Sequence, residues 1–247
     1  MPASVIFPSA NRGITEWLAR RPVPIISKSM GTEPNKAAVT TAGRPWRLAH
    51  PDQRDLAKRA VDLVVAVACL VALLPIYVLV AVAIWLESGS PVLFKQERAG
   101  LRGRPFLMFK FRSMVANAEQ ETGPVWAATN DARVTRVGAF LRRTHLDELP
   151  QFWNVLRGEM SVVGPRPERP VFLAKLENEI PGFSSRCTVK PGITGLAQVS
   201  NGYTQSTRAA RRKFRYDTHY IRNYCFLLDL KIMARTIQVL ANDENAR

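Results

Sequence analysis

Cysteine, histidine and acid are all scarce in this chain of 247 residues. The three cysteines (Cys69, Cys187, Cys225) lie far apart with no CxxC pair, and the three histidines are scattered. That argues against a disulfide scaffold and against a zinc or His-rich metal site, and it suits a reducing cytosol. Only 20 Asp and Glu stand against 35 Lys and Arg, a net charge of +15. Such a balance points to anionic partners: nucleic acid, an anionic membrane surface or phosphorylated substrates. No basic n-region followed by an apolar h-region opens the chain, which argues against a cleaved signal peptide. There is no internal repeat, no heptad run and no helix-turn-helix, RRM or zinc-finger signature, so nucleic acid is not the expected partner. A hydrophobic fraction of 47% argues against a wholly disordered chain. The length allows one sizeable core or two small ones.

Residues 1–52 lack periodicity and carry Pro2, Pro8, Pro22, Pro24, Pro34 and Pro45 among Ser, Thr and basic residues. They read as a disordered N-terminal tail; their Arg-rich, acid-poor composition also matches some transit peptides. The composition then shifts. Leu63 to Leu86 is a charge-free run of 24 residues. As a straight helix it would reach about 36 Å, against a hydrocarbon core of about 30 Å, so residues 53–90 read as membrane-inserted.

Pro75 sits in the middle of that run. It removes one helix hydrogen bond and clashes with the carbonyl of Val71, so a kink is expected there. Arg54, Lys58 and Arg59 precede the run, and Lys95, Arg98, Arg102 and Arg104 follow it. Basic flanks belong in the cytoplasm, and a simple span would place one of them outside. The expectation is a re-entrant helix that leaves by the leaflet it entered, with an ordinary kinked span as the alternative.

Residues 91–247 read as a basic domain facing the cytoplasm. "PVLFKQERAGLRGRPFLMFKFRSM" reads as two short strands around a turn from Gly100 to Gly103. Helical patterns cover roughly 113–121, 149–157, 168–180 and 207–240, and 184–204 is rich in turns. On the second strand Met108, Lys110 and Arg112 share a face. Lys110 and Arg112 would stand about 6.6 Å apart, a spacing that suits a diphosphate as well as a solvated strand face.

The densest segment is "LRRTHLDELPQFWNVLRGEMSVVGPRP", residues 141–167. Thr144-x-x-Asp147 fits a capping box, which would make the acids of Asp147-Glu148 helix-capping groups. They also suit chemistry: one carboxylate attacks phosphorus while its neighbour binds a hard divalent cation. Arg142 or Arg143 would then clamp phosphate oxygens. Arg166 lies between Pro165 and Pro167, displayed from a stiff backbone, with a plain turn as the alternative. Lys190-Pro191-Gly192-Ile193-Thr194-Gly195 is a turn whose glycines permit close backbone approach. The aromatic, basic and apolar mixture near the C-terminus suits an interfacial amphipathic helix or one packed on the core.

In order along residues 53–240, Lys58-Arg59-x-x-Asp62, Pro75, "PVLFKQERAG", "FKFRSM", the 141–167 segment, "VKPGITGLAQVS" and "YDTHYIRNY" with "LDLKI" resemble the bacterial sugar transferase family, the monotopic polyprenyl-phosphate phosphoglycosyl transferases. The resemblance implies a small membrane-associated α/β catalytic domain on a re-entrant helix of the bacterial inner membrane. It implies transfer of a phosphosugar from a UDP-sugar to undecaprenyl phosphate, releasing UMP, with Mg²⁺ (or Mn²⁺) as cofactor, in the initiation of exopolysaccharide, capsule or glycoconjugate assembly. Asp147 matches the family's nucleophile and Glu148 its partner; both would attend the metal. Lys110, Arg112, Arg142 and Arg166 match phosphate- or nucleotide-binding positions. Membrane lipids are implied partners, and the oligomeric state stays open, a homodimer included.

Two positions depart from the family pattern. Leu74 stands where many members carry Ser before the proline, so a hydroxyl that could satisfy a freed carbonyl is missing. Ser200-Asn201-Gly202-Tyr203 lacks a common arginine, which puts the sugar and nucleotide specificity in doubt. The chain looks like a minimal form without the multi-span N-terminal region of larger relatives. Its rivals are a membrane-tethered nucleic-acid- or anionic-lipid-binding protein without catalysis, and a catalytically dead scaffold.

Overall fold

The computed structural model describes residues 53–119, 123, 131–201 and 207–241. The expected tail over 1–52 lies outside them.

The apolar run folds as two helices, α1 (Gln53–Ala72) and α2 (Leu74–Ser88). No single helix among the described residues is long and apolar enough to cross a membrane; Leu56–Ala72 and Leu74–Ser88 are so only as a pair, bent by 60°. The break falls at Leu73, with Pro75 in the first turn of α2. Proline has no N–H to offer the carbonyl of Val71, so the ladder stops with Leu73 N–H on Cys69 O and resumes with Tyr77 N–H on Leu73 O. Val64, Val67 and Val71 of α1 and Leu79, Val82, Trp85 and Leu86 of α2 are exposed.

The rest is mixed helix and sheet. Strands β1 (Leu93–Ala99) and β2 (Pro105–Phe111) form an antiparallel hairpin, with Lys95 opposite Phe109 and Gln96 opposite Met108. Helix α3 (Arg136–Thr144) leads into a 3₁₀ turn, Leu146–Glu148, and then α4 (Gln151–Leu156). Strands β3 (Ser161–Val163) and β4 (Gly192–Thr194) pair in parallel. Between them lie α5 (Pro170–Glu179) and a 3₁₀ segment, Phe183–Thr188. Helices α6 (Leu196–Asn201), α7 (Thr207–Asn223) and α8 (Phe226–Ala241) complete the order.

Several expectations are corrected. Residues 113–119 are not helical. Met114 bridges to Val134, Val115 N–H bonds Arg133 O, and Ser113 O takes Thr135 N–H, so this backbone is committed across the chain. The helix instead follows at α3, where Thr135 Oγ1 accepts from Gly138 N–H and caps the first turn. Thr144 does not cap Asp147. It ends α3, and its hydroxyl donates back to Phe140 O at 2.9 Å; His145 closes the helix in the left-handed region at φ 57°. Residues 192–194 of the 190–195 segment form strand β4, while the close backbone approach expected of its glycines is found: a Cβ on Gly192 would lie 2.1 Å from the nitrogen of Gly164. The 207–240 pattern divides into two helices at Tyr224-Cys225.

Two apolar clusters hold the frame. Val80 and Ile84 of α2 meet Phe111 and Leu141, with Tyr77, Leu146 and Leu149 against them; Leu176, Ile180 and Phe183 meet Phe214. Each such side chain contributes about 1.5–3 kcal/mol on burial. Polar ties join α1 to the same body. Lys58 Nζ bonds Val163 O at 3.0 Å and Asp229 Oδ2 at 2.6 Å. Arg59 donates to the carbonyls of Val155 and Leu156 at the end of α4, where a cation suits the helix dipole. Asp62 accepts from Ser161 Oγ and Val162 N–H.

Candidate active site

Four segments converge on one pair of carboxylates. The 3₁₀ turn places Asp147 and Glu148 side by side, 6% and 9% exposed. From β2, Lys110 Nζ lies 2.8 Å from Glu148 Oε1 and 3.7 Å from Asp147 Oδ2. From the Gly164–Pro167 loop, Arg166 forks onto Glu148, Nη1 on Oε2 at 3.0 Å and Nη2 on Oε1. From α3, Arg142 Nε donates to Ser113 Oγ at 2.8 Å, within the electrostatic reach of Asp147.

The two acids are unlike in environment. Burial is the largest influence on Asp147 and holds its carboxyl above the usual carboxylate range, against the pull of Lys110. Burial pushes Glu148 the same way, but Arg166 and Lys110 outweigh it and hold that carboxyl well below its ordinary value. Glu148 is thus a fixed anion, and Asp147 the more basic and less engaged of the two. Adjacent acids whose affinities for the proton are driven apart suit separate roles.

Not every expected residue joins this group. Arg112 lies one residue past β2, with its N–H still paired to Val92 O at 2.9 Å. Its Nη2 donates instead to Ser88 O, Ser88 Oγ and Gly89 O at the end of α2. Arg143 is exposed, its guanidinium 5.9 Å from the ring of Phe140. Of the positions that depart from the family pattern, Gly202 and Tyr203 lie outside the described residues.

Sequence reading missed the supports. Asn154, wholly buried, accepts from Phe109 N–H and donates to Leu107 O, filling the unpaired edge of β2 beside Lys110. Tyr77 Oη donates to Leu149 O at 2.6 Å, one residue beyond Glu148. Glu87, near the end of α2, accepts from the N–H groups of Arg136 and Val137 at the start of α3. Nothing local in the sequence marks these contacts, which join residues far apart in the chain.

Carboxylate oxygens are the hard donors a divalent cation takes, and Mg²⁺ commonly uses one or two of them with substrate phosphates and water completing its shell. Asp147 and Glu148 fit that donor set. Among the described residues no cluster of three or more His, Cys, Asp or Glu could hold a metal by itself.

The family model described as "Bacterial sugar transferase" matches residues 53–243, and the chain belongs to that family. It is 44% identical over 190 residues to the UDP-N-acetylgalactosamine-undecaprenyl-phosphate N-acetylgalactosaminephosphotransferase of Aeromonas hydrophila, covering 77% of this chain and 45% of that protein. It is 45% identical over 183 residues to the UDP-glucose:undecaprenyl-phosphate glucose-1-phosphate transferase of Xanthomonas campestris pv. campestris, covering 73% and 38%. An exopolysaccharide production protein of Rhizobium leguminosarum bv. phaseoli is 40% identical over 185 residues, covering 73% and 92%. The chain therefore spans less than half the length of the first two relatives and nearly all of the third.

Proposed function

We propose that this chain is a phosphoglycosyl transferase that moves a phosphosugar from a UDP-sugar to undecaprenyl phosphate, giving undecaprenyl-diphospho-sugar and UMP. The names of its relatives support this reaction class. The observation that carries the chemistry is the unequal pair: Asp147, raised by burial and held only at 3.7 Å by Lys110, beside Glu148, bonded to both Lys110 and Arg166 with a lone pair of Oε2 left over.

In this reading Asp147 is the nucleophile, because the more basic carboxylate is the better one. Its oxygen bonds to the sugar-bearing phosphorus while the bond from that phosphorus to the bridging oxygen breaks, and UMP leaves with the bridging oxygen. An oxygen of undecaprenyl phosphate then bonds to the same phosphorus and frees the carboxylate. Lys110 and Arg166 offset the repulsion between an anionic donor and an anionic nucleophile, and Arg142 adds a third cation on the α3 side. Arg112 is engaged at the end of α2 through Nη2, and its buried Nε and Nη1, which have no hydrogen-bond partner among the described residues, keep it among the phosphate-binding residues of this reading. Asp147 and Glu148 would hold Mg²⁺, which when bound shields phosphate charge.

The same reading makes α1 and α2 a re-entrant membrane helix of the bacterial inner membrane, with the catalytic domain on the cytoplasmic side. Its support is that both ends of the bent pair are tied to one body: the start of α1 through Lys58 and Asp62 to β3 and α8, the end of α2 through Arg112 to the end of β2. The exposed Phe226, Leu227, Leu230, Ile237 and Leu240 of α8 suit the interface of the same leaflet.

The test is covalent capture. Radiolabelled UDP-sugar and Mg²⁺ without lipid should leave label on the protein and release UMP, and Asp147→Asn should abolish both. Label retained by the Asn variant, or intersecting double-reciprocal lines in place of ping-pong kinetics, would overturn the nucleophile assignment.

A further inference from the structure

The loop that carries Arg166 has no regular structure of its own, yet four successive carbonyls in it are held by other parts of the molecule. Pro165 O accepts from Gly192 N–H at 3.0 Å, and Glu168 O from Ala99 N–H at 2.9 Å. Between them Arg166 O accepts from Arg186 Nη2 at 2.9 Å and Pro167 O from Arg98 Nη1 at 3.0 Å. Backbone donors from two strands hold the outer pair, and two arginines hold the inner pair.

Arg186 is the hub. It is 3% exposed and comes from the 3₁₀ segment Phe183–Thr188. Its Nε and Nη2 both reach Asp217 Oδ2, at 3.1 and 2.6 Å, and its Nη1 reaches Glu168 Oε1 at 3.1 Å. Lys213 Nζ meets the same Glu168 oxygen at 2.5 Å. The guanidinium stacks 4.9 Å from the centre of the Phe183 ring. Two of the five N–H donors of this planar fork go to Asp217 and one to Glu168, and Nη2, fixed on one side by Asp217, directs its other N–H at the carbonyl of Arg166.

We propose that Arg186, assisted by Arg98, is a positioning residue: it clamps the backbone of the Pro165–Glu168 loop so that the Arg166 side chain is delivered to Glu148 and to the donor phosphates. The proposal rests on the phosphosugar-transfer reading for its effect on turnover, but the clamp itself does not. Misplacing a reacting or charge-stabilising group by about 1 Å can cost roughly a hundredfold in rate. A side chain as long as arginine needs a fixed backbone to avoid that. The prolines fix φ at 165 and 167, and Pro167 confines ψ of Arg166, but φ of Arg166 and ψ of the two prolines are left for outside contacts to set.

The experiment is a double-mutant cycle read alongside hydrogen exchange. Arg186→Lys keeps the charge against Asp217 and Glu168 but cannot form the fork. In the otherwise natural enzyme it should lower kcat/KM for the UDP-sugar by about tenfold or more, yet by less than about twofold in an Arg166→Ala background, because the clamp acts through Arg166. Amide exchange at Ala99 and Gly192, the partners of Glu168 O and Pro165 O, should accelerate while α3 stays protected. Equal losses in both backgrounds, or unchanged exchange, would overturn the proposal. Arg98→Met is the second variant, with the same criteria, should Arg186→Lys not fold. Faster exchange in the variants of a protein that turns over no UDP-sugar would uphold the clamp and overturn the reaction assigned to it.

Discussion

The hydroxyl of Tyr77 donates to the carbonyl of Leu149 at 2.6 Å, so one hydrogen bond joins the bend of the apolar helix pair to the residue that follows Glu148. Tyr77 lies two residues past Pro75, and its ring packs 5.6 Å from that of Phe111 at the end of β2. The proline bend, the strand that carries Lys110 and the carboxylate turn therefore meet at one side chain. Tyr77→Phe keeps the ring and removes only the bond. The Leu149 carbonyl keeps the N–H of Phe152 at 3.1 Å, so the loss is that of one hydrogen bond, about 0.5–1.5 kcal/mol. Thermal unfolding in detergent should register that loss. Donor turnover should fall roughly tenfold, since the carboxylate turn loses an anchor. A variant with natural turnover would mean that the turn is held adequately by the α3 side alone.

In the proposed reaction Lys110 is expected to set the acid side of the pH profile. There Asp147 must be ionised to attack, burial raises its pKa, and Lys110 pulls it back. Lys110→Met removes the pull, so Asp147 rises further and the acid limb of kcat/KM moves to higher pH. The two acids affect stability in opposite senses. Asp147, with its folded pKa raised, binds its proton more tightly when folded, so it favours folding at low pH and loses that contribution as pH rises through the raised value. Glu148, depressed from an ordinary 4.5, stabilises above that value and loses its contribution as pH falls through its folded pKa. Rate profiles of the natural enzyme and Lys110→Met decide the matter; a limb that stays in place or moves to lower pH removes Lys110 from the electrostatics of Asp147.

Features written in local pattern were legible before the structure. The hairpin around Gly100–Gly103 follows from alternation and a turn, and the bend near Pro75 from a missing N–H. Sequence reading singles out Lys110 and Arg166 for phosphate or nucleotide binding and does not foresee their meeting on Glu148. What local pattern misassigned depends on pairing across the chain. Thr144 fits a capping box yet ends α3, while the cap is Thr135, which sequence reading did not single out and whose N–H pairs across to Ser113 O. Arg112 turns Nη2 to the helix end at Ser88, which offers it three oxygens, a fact of tertiary packing. Asn154 and Arg186 act over long sequence separations, and composition says nothing of them.

Gly138 offers a direct test of how α3 is seated. A Cβ there would lie 2.1 Å from the carbonyl oxygen of Ser113, a backbone atom that also accepts from Thr135 N–H. In an exposed helix Gly→Ala is favourable by about 1 kcal/mol. Here the clash should dominate, with destabilisation of about 1–3 kcal/mol. Because Ser113 Oγ holds Arg142, the shift should also lower donor turnover. Thermal unfolding and steady-state kinetics of Gly138→Ala check both; a variant of unchanged or higher stability would show that α3 can move off Ser113 freely.

The topology of the bent pair yields the last prediction. A straight passage through a bilayer separates the two ends of a helix by about 30 Å and places them on opposite sides. Here Lys58 and Asp62 at one end and Ser88-Gly89 at the other are bonded to one folded body. Lys58 and Arg59 are engaged in those bonds, so the charge flanks carry less of the case than the tethering does. With Cys69, Cys187 and Cys225 replaced by serine, single cysteines are introduced at His50 and at the exposed Arg102 and treated with a membrane-impermeant maleimide in intact cells. Re-entry predicts that neither is labelled until the inner membrane is permeabilised, and that both are labelled then. Labelling at position 50 alone in intact cells is the result a spanning helix would give; the domain contacts of Lys58 and Asp62 would then have to break in the membrane.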